Sequence, residues 1–128
     1  MDIYSEIILD YFKNPKNKGP LKGATHKAEE FNPLCGDKIK IYLKVNQSGK
    51  IEKAHFDGEG CAISQASASM LTELLEGKTL AQAQKIKNEA IYGLLGIPIS
   101  PARVKCALLG LVTAKKAACT AKPQPKSK

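Results

Sequence analysis

The sequence predicts a single α+β domain, with two or three antiparallel strands grouped in the first half of the chain and helices filling the rest. Three observations predict it. Ile39, Ile41, Leu43 and Val45 alternate with Lys38, Lys40, Tyr42 and Lys44, the period of two that gives a strand one buried and one wet face. From Gly58 onward the composition turns to small and helix-forming residues, with Ile63, Ala66, Met70 and Leu74 at helical spacing. The chain has 128 residues, 43% of them hydrophobic, which suits one domain of about 100–200 residues that buries a core without disulfide staples.

Each element has its own signals. Over residues 3–12, Tyr4, Ile7, Ile8, Tyr11 and Phe12 form an apolar stripe with Asp2 and Glu6 near the start, where the helix dipole favours acids. Asn14-Pro15 ends that helix, and lysine-rich turn residues follow to about position 22. Residues 24–31 are ambiguous, because Glu29-Glu30 and His26 break any clean alternation. The strand over 38–45 returns through Asn46-Gln47-Ser48-Gly49 into Ile51–Phe56 as a hairpin. Gly58-Glu59-Gly60-Cys61 turns the chain into a helix stopped by Gly77. Thr79-Leu80-Ala81-Gln82 has the form of a capping box, Asn88 is placed to cap a helix ended by Gly96, and Ser100-Pro101 to open the last one. That last helix carries Val104, Ala107, Leu108, Leu111 and Val112 as its stripe and runs to about Ala118. The domain is therefore expected over 1–118, with 119–128 a basic tail whose sequence, without apolar content beyond Cys119 and Ala121, predicts disorder. No internal repeat is present.

Composition excludes some functions. No run of about 18 apolar residues exists to span a membrane, and acids occupy the N-terminus where a leader needs positive charge. A cytoplasmic location is expected, and in a reducing cytosol four cysteines serve as thiols or metal ligands. The net charge of +8 owes five lysines to residues 115–128 alone, which contain no acid. With no Trp and 5% aromatic residues, the chain lacks stacking platforms for single strands, so nucleic acid is not the expected partner.

The chemistry centres on Asn32-Pro33-Leu34-Cys35-Gly36-Asp37. Cys35 and Asp37 pair a soft thiolate with a harder, displaceable carboxylate across a glycine, a combination suited to a site that releases what it binds. A turn with a buried Cys and a capping Asp has the same sequence. Cys61 opens a helix, where the positive end of the dipole and unpaired N–H groups favour a thiolate. Cys106 lies near the start of the last helix beside Lys105 and Arg103. Cys35, Cys61 and Cys106 all sit at junctions that a strand–loop–helix layout can bring to one end of a sheet. The gaps of 26 and 45 residues between them lack local zinc-knuckle geometry, so a shared three-Cys plus Asp site and three separate core cysteines both remain open.

Three motifs in register, N-P-L-C-G-D, then G-E-G-C-A-I-S-Q-A-S-A-S, then R-V-K-C-A-L, resemble the IscU/SufU/NifU-N family of iron–sulfur cluster assembly scaffold proteins from residue 2 to about 118. The resemblance implies a SufE/NifU-like fold, a three-stranded antiparallel sheet with helices packed on it. It implies that Cys35, Asp37, Cys61 and Cys106 hold a nascent iron–sulfur cluster, most simply [2Fe-2S], or zinc in the cluster-free form. Cys106 is then the persulfide acceptor, and Asp37 the ligand whose replacement makes a bound cluster less labile. Partners implied are a cysteine desulfurase, an iron donor and apo iron–sulfur acceptor proteins, with a homodimer as an option when the cluster is bound. Such a protein is a scaffold and carrier, not an enzyme with turnover of its own. The alternative, drawn from the SufU branch, is a zinc-dependent sulfurtransferase on the same residues.

Two departures separate this chain from the branches it resembles. The IscU branch has His before the third cysteine, where Lys105 stands here, and the SufU branch carries an insertion between the second and third cysteines that is missing here. Ile99–Lys105 replaces the L-P-P-V-K element of the IscU branch, which argues against an Hsp70-type chaperone as partner. His26 and His55 read as surface residues, Cys119 as a free thiol, and Ser64, Ser67 and Ser69 as a packing face of small residues.

Overall fold

Alternation over 38–45 produces a central strand, and the rest of the fold is arranged about it. In the computed structural model, which describes residues 3–33 and 36–119 with side chains from Glu6 onward, helix α1 (Ile3–Lys13) leads by a long loop into strands β1 (His26–Asn32), β2 (Asp37–Val45) and β3 (Ile51–Glu59). Helices α2 (Ala62–Leu75), α3 (Leu80–Gln84), α4 (Asn88–Leu95) and α5 (Val104–Cys119) follow, with a 3-10 turn at Pro101–Arg103 before the last. The sheet is three-stranded and antiparallel in the order β1-β2-β3. Ile39, Ile41 and Leu43 are fully buried on its inner face under α2 and α5, together with Ala54 and Phe56 of β3. The outer face carries Lys38, Lys40 and Lys44, with Glu29, Lys40 and Asp57 abreast across the three strands. No helix among the described residues is long and apolar enough to cross a membrane.

Residues 24–31 resolve into an edge strand for a reason that lies far away in sequence. Glu30 points inward, half-buried, because it pairs with Lys116 on α5, while Phe31 faces out and is 57% exposed. The apparent polarity of the segment is thus inverted at its end. On the opposite edge, Lys16–Gly19 runs along β3: Phe56 N–H donates to Asn17 O at 2.9 Å and Gly19 N–H to Phe56 O at 2.7 Å. Asn17 takes a left-handed φ of 59° to do so, a conformation Asn tolerates better than most residues. Ser69 Oγ of α2 accepts from Lys16 N–H at 2.6 Å, and Asn17 Nδ2 donates to Thr72 Oγ1 at 3.1 Å. A segment read as a lysine-rich turn therefore closes a sheet edge that would otherwise be open to pairing.

Helix ends follow the sequence signals with three exceptions. The Thr79 capping box forms with both its hydrogen bonds, and Gly96 closes α4 in the left-handed region at φ 72°. Asn88 does not cap α4: the first helical bond is accepted by the Lys87 carbonyl, so Asn88 already lies inside the first turn. Ser100 precedes proline as expected, but its side chain caps nothing and Arg103 N–H bonds to Ser100 O in 3-10 fashion at 2.8 Å. The α-helix proper starts at Val104, which puts Cys106 in its first turn, and the helix includes Cys119, one residue past its expected end. In the apolar stripe of α5, Leu109 is buried and Val112 is 52% exposed. The stripe of α1 is likewise wider than its buried face: Ile8 is buried, Phe12 is exposed, and Ile7 is exposed beside a groove shared with Tyr11, Met70, Leu74 and Leu94. Tyr11 fastens α1 to α2 by donating to Glu73 Oε1 at 2.8 Å. That hydrogen bond, with partial burial and the charges of Glu73 and Asp10, raises the phenol above its ordinary 10.0.

Candidate metal centre

The site is built where the turn of strand into helix occurs twice. α2 and α5 run side by side in the same direction, close enough that a Cβ on Gly110 would sit 3.3 Å from Ala68 Cα. Their N-termini therefore open at one end of the sheet, each bringing the positive end of a helix dipole. Cys61 is the N-cap of α2, its Sγ accepting from Ser64 N–H at 3.5 Å. Cys106, 4% exposed, sits in the first turn of α5. Asp37 opens β2 at the same end, opposite Asn32 in the register.

One ligand atom from each of Asp37, Cys61 and Cys106 lies within 4.8 Å of the other two. Asp37 is 1% exposed, and a buried carboxylate is tolerated when it is hydrogen-bonded. Its Oδ1 accepts from Cys61 N–H at 2.9 Å and its Oδ2 faces the Cys61 thiol at 3.6 Å. Two glycines make the approach possible. A Cβ on Gly58 would fall 2.0 Å from the Lys38 carbonyl oxygen, and one on Gly60 would fall 2.4 Å from Asp37 Oδ1 and 2.8 Å from Ser64 Oγ. Gly58 lies within β3, opposite Ile39, so the strand is longer than the sequence suggested and the turn is confined to Gly60-Cys61.

Two thiols and a carboxylate at this separation suit a single soft or borderline cation such as zinc or iron, with the carboxylate the weaker and more displaceable ligand. The model of the NifU-like N terminal domain family matches residues 3–127. The chain belongs to that family. Among its relatives, the zinc-dependent sulfurtransferase SufU of Bacillus subtilis (strain 168) is 38% identical over 124 residues, covering 84% of this chain and 83% of that protein. The iron–sulfur cluster assembly scaffold protein IscU of Escherichia coli (strain K12) is 38% identical over 109 residues, covering 83% of this chain and 84% of the relative. Among solved structures, FiSufU of the SUF system from thermophilic Fervidobacterium islandicum AW-1 superposes with a TM-score of 0.75 at 32% identity over 91% of this chain and 96% of that one. The N-terminal part of a NifU-like protein from Brucella abortus shares the fold, with a TM-score of 0.71 at 23% identity over 90% of this chain and 91% of that one.

Of the four residues the sequence singled out, the structure gathers Asp37, Cys61 and Cys106. Cys35 lies outside the described residues; of those on either side of it, Gly36 N–H donates to Asn32 O at 2.8 Å. Neither histidine joins the group: His26 Nδ1 lies 2.8 Å from Thr25 Oγ1, and His55 Nδ1 lies 3.3 Å from Gly19 O. Cys119 ends α5 at its far terminus, exposed, with Gln84 Nε2 donating to its sulfur at 3.2 Å. Cys61, Cys106 and Cys119 form no disulfide. Lys105 is exposed on the rim of a groove with Phe31, Pro33, Val104 and Val112. The three serines are buried as a packing face, each with its hydroxyl bonded to backbone. Ser64, whose N–H reaches the Cys61 sulfur, is a contributor the sequence reading passed over, although its place three residues after the N-cap is where such a donor belongs.

Proposed function

We propose that this protein assembles an iron–sulfur cluster on Cys35, Asp37, Cys61 and Cys106 and passes it to apo-proteins. The observation that carries the reading is the convergence of Asp37, Cys61 and Cys106 within 4.8 Å at two helix N-termini. An assembling cluster is anionic, and the helix ends and Ser64 N–H offset that charge without occupying the ligands. The three thiolates hold iron strongly, and Asp37, a single hard oxygen among soft sulfurs, is the exit point. Cys106 receives sulfur from a cysteine desulfurase: its thiolate attacks the outer sulfur of the donor persulfide, a new S–S bond forms, and the donor thiolate leaves. No external oxidant is required. The role is that of a scaffold and carrier in a reducing, cytoplasmic setting, with an iron donor and apo-acceptors as further partners.

A second reading has its own support in the likeness to SufU and in Lys105, which cannot ligate while protonated. In that reading zinc, held by the same residues as a resident ion, lowers the charge on the thiolates, and Cys106 passes sulfur on without a cluster forming. Anaerobic incubation with ferrous iron, cysteine and a desulfurase separates the two. Iron and sulfide bound in equal amounts, with charge-transfer absorption that moves to an apo-ferredoxin, is expected of the scaffold. Zinc that stays bound while desulfurase turnover rises is expected of the sulfurtransferase.

A further inference from the structure

The buried polar side chains of α2 have a home for every donor but one. Ser64, Ser67, Ser69 and Thr72 each place the hydroxyl proton on a backbone carbonyl. Gln65, 3% exposed, uses its Oε1 to accept from Lys18 Nζ at 3.4 Å, and its Nε2 has no hydrogen-bond partner. The ammonium fixes which way the amide lies, because the reverse orientation would set donor against donor. A buried N–H left unpaired is destabilising, so an apolar side chain of the same length would be the cheaper occupant.

The position explains what the N–H is for. Gln65 follows Cys61 by four residues on the same helix, and long side chains on a helix lean toward its N-terminus over the preceding turn. That turn carries Cys61 and Ser64 at the metal centre. Two acceptors of the described residues at that turn are already engaged: Cys61 Sγ takes Ser64 N–H, and Asp37 Oδ1 takes Cys61 N–H. An acceptor arriving with the cargo would complete the pairing. Resting on the proposed function, we propose that the Gln65 amide is a positioning residue whose N–H donates to sulfur delivered to the site, an anionic sulfur beyond the protein's own thiolates. Cluster sulfide and the outer sulfur of a persulfide share that chemistry; zinc alone brings no such acceptor.

Gln65→Met tests this, because methionine keeps the length and loses the donor. The variant is expected to melt at or above the wild-type temperature and to bind zinc within two-fold of wild type in a chelator competition. After reconstitution with ferrous iron and inorganic sulfide, it should lose its cluster to a chelator about five-fold faster, with the sulfide-to-iron absorption bands displaced. Zinc-loaded protein treated with polysulfide gives the second arm, in which persulfide retention is read by mass. Faster loss in the first arm alone supports cluster sulfide as the acceptor, and in the second alone supports persulfide sulfur. Equal lifetimes in both arms overturn the proposal, as does a zinc affinity that falls in step with cluster lifetime, which marks a merely structural role. Gln65→Leu, which also lacks the N–H and adds no charge, should match the methionine variant and serves in its place if that variant fails to fold. If the wild type takes up neither sulfur, the proposed function fails and this inference with it; if it takes up sulfur and the variants match it, the Gln65 inference alone fails.

Discussion

Cys106 and Cys119 stand at opposite ends of α5, same residue type on the same helix, and share nothing else. Cys106 is buried in the first turn, within 4.8 Å of Asp37 and Cys61. Cys119 is exposed at the last, about 20 Å away by helix rise, with an amide donor as its neighbour. One thiol faces the positive end of a helix dipole and two potential co-ligands, the other the negative end and solvent. What a cysteine can do is set by which end of a helix it caps and what the sheet brings there.

The contrast is broken most sharply by exchanging each sulfur for oxygen. Cys106→Ser should lower zinc affinity more than about 100-fold, beyond the 10–100-fold typical of residues that merely support a ligand, and abolish cluster formation. Cys119→Ser should leave both within two-fold, as read by chelator competition and iron and sulfide counts. Next in size is Gly60→Ala, whose Cβ would press on Asp37 and Ser64. Overpacking at this site should cost about 1–3 kcal/mol of stability together with metal affinity, whereas alanine in place of Gly93, with nothing within 4 Å of its Cβ, should leave the metal untouched. Asp37→Ala removes the carboxylate proposed as the displaceable ligand and orphans Cys61 N–H. It should destabilise the metal-free protein by about 1–3 kcal/mol, yet lengthen the lifetime of an assembled cluster several-fold; a cluster lost faster than from wild type would remove Asp37 from the role of exit ligand.

The smallest effect lies away from the site. Tyr11 holds its proton more tightly in the folded state than the unfolded value of 10.0. Its contribution is therefore complete below that pH and is lost as pH rises through the raised folded value. Tyr11→Phe should flatten the fall in melting temperature above about pH 10 and leave metal binding at neutral pH unchanged.

Much of this was legible because it was local. The β2–β3 hairpin, the Thr79 capping box and the Gly96 stop depend on residues a few positions apart, and each formed as its pattern indicates. β1 was only half legible: a strand over 24–31 was one possibility, and Glu30, which spoiled the alternation, faces inward to pair with Lys116, 86 residues on. The start of α5 was misjudged because Ser100-Pro101 is a sound opening for either helix type, and a 3-10 turn took it. For the site, each cysteine motif could be recognised alone, but spacing could not bring them together. Convergence depends on α2 and α5 lying parallel and close at Gly110 and Ala68, a packing relation that no local pattern contains. The need for glycine at position 60 was visible only as a turn signal, and its cause is the buried Asp37 carboxylate.

The central claim is that two helix N-termini and the start of β2 build one metal-holding centre. X-ray absorption at the zinc edge of the zinc-loaded protein tests it most directly. A first shell dominated by sulfur at about 2.3 Å with one oxygen at about 2.0–2.2 Å, lost in Cys106→Ser and kept in Cys119→Ser, is the predicted result. A shell of nitrogen and oxygen alone, or a sulfur shell indifferent to Cys106, would contradict it.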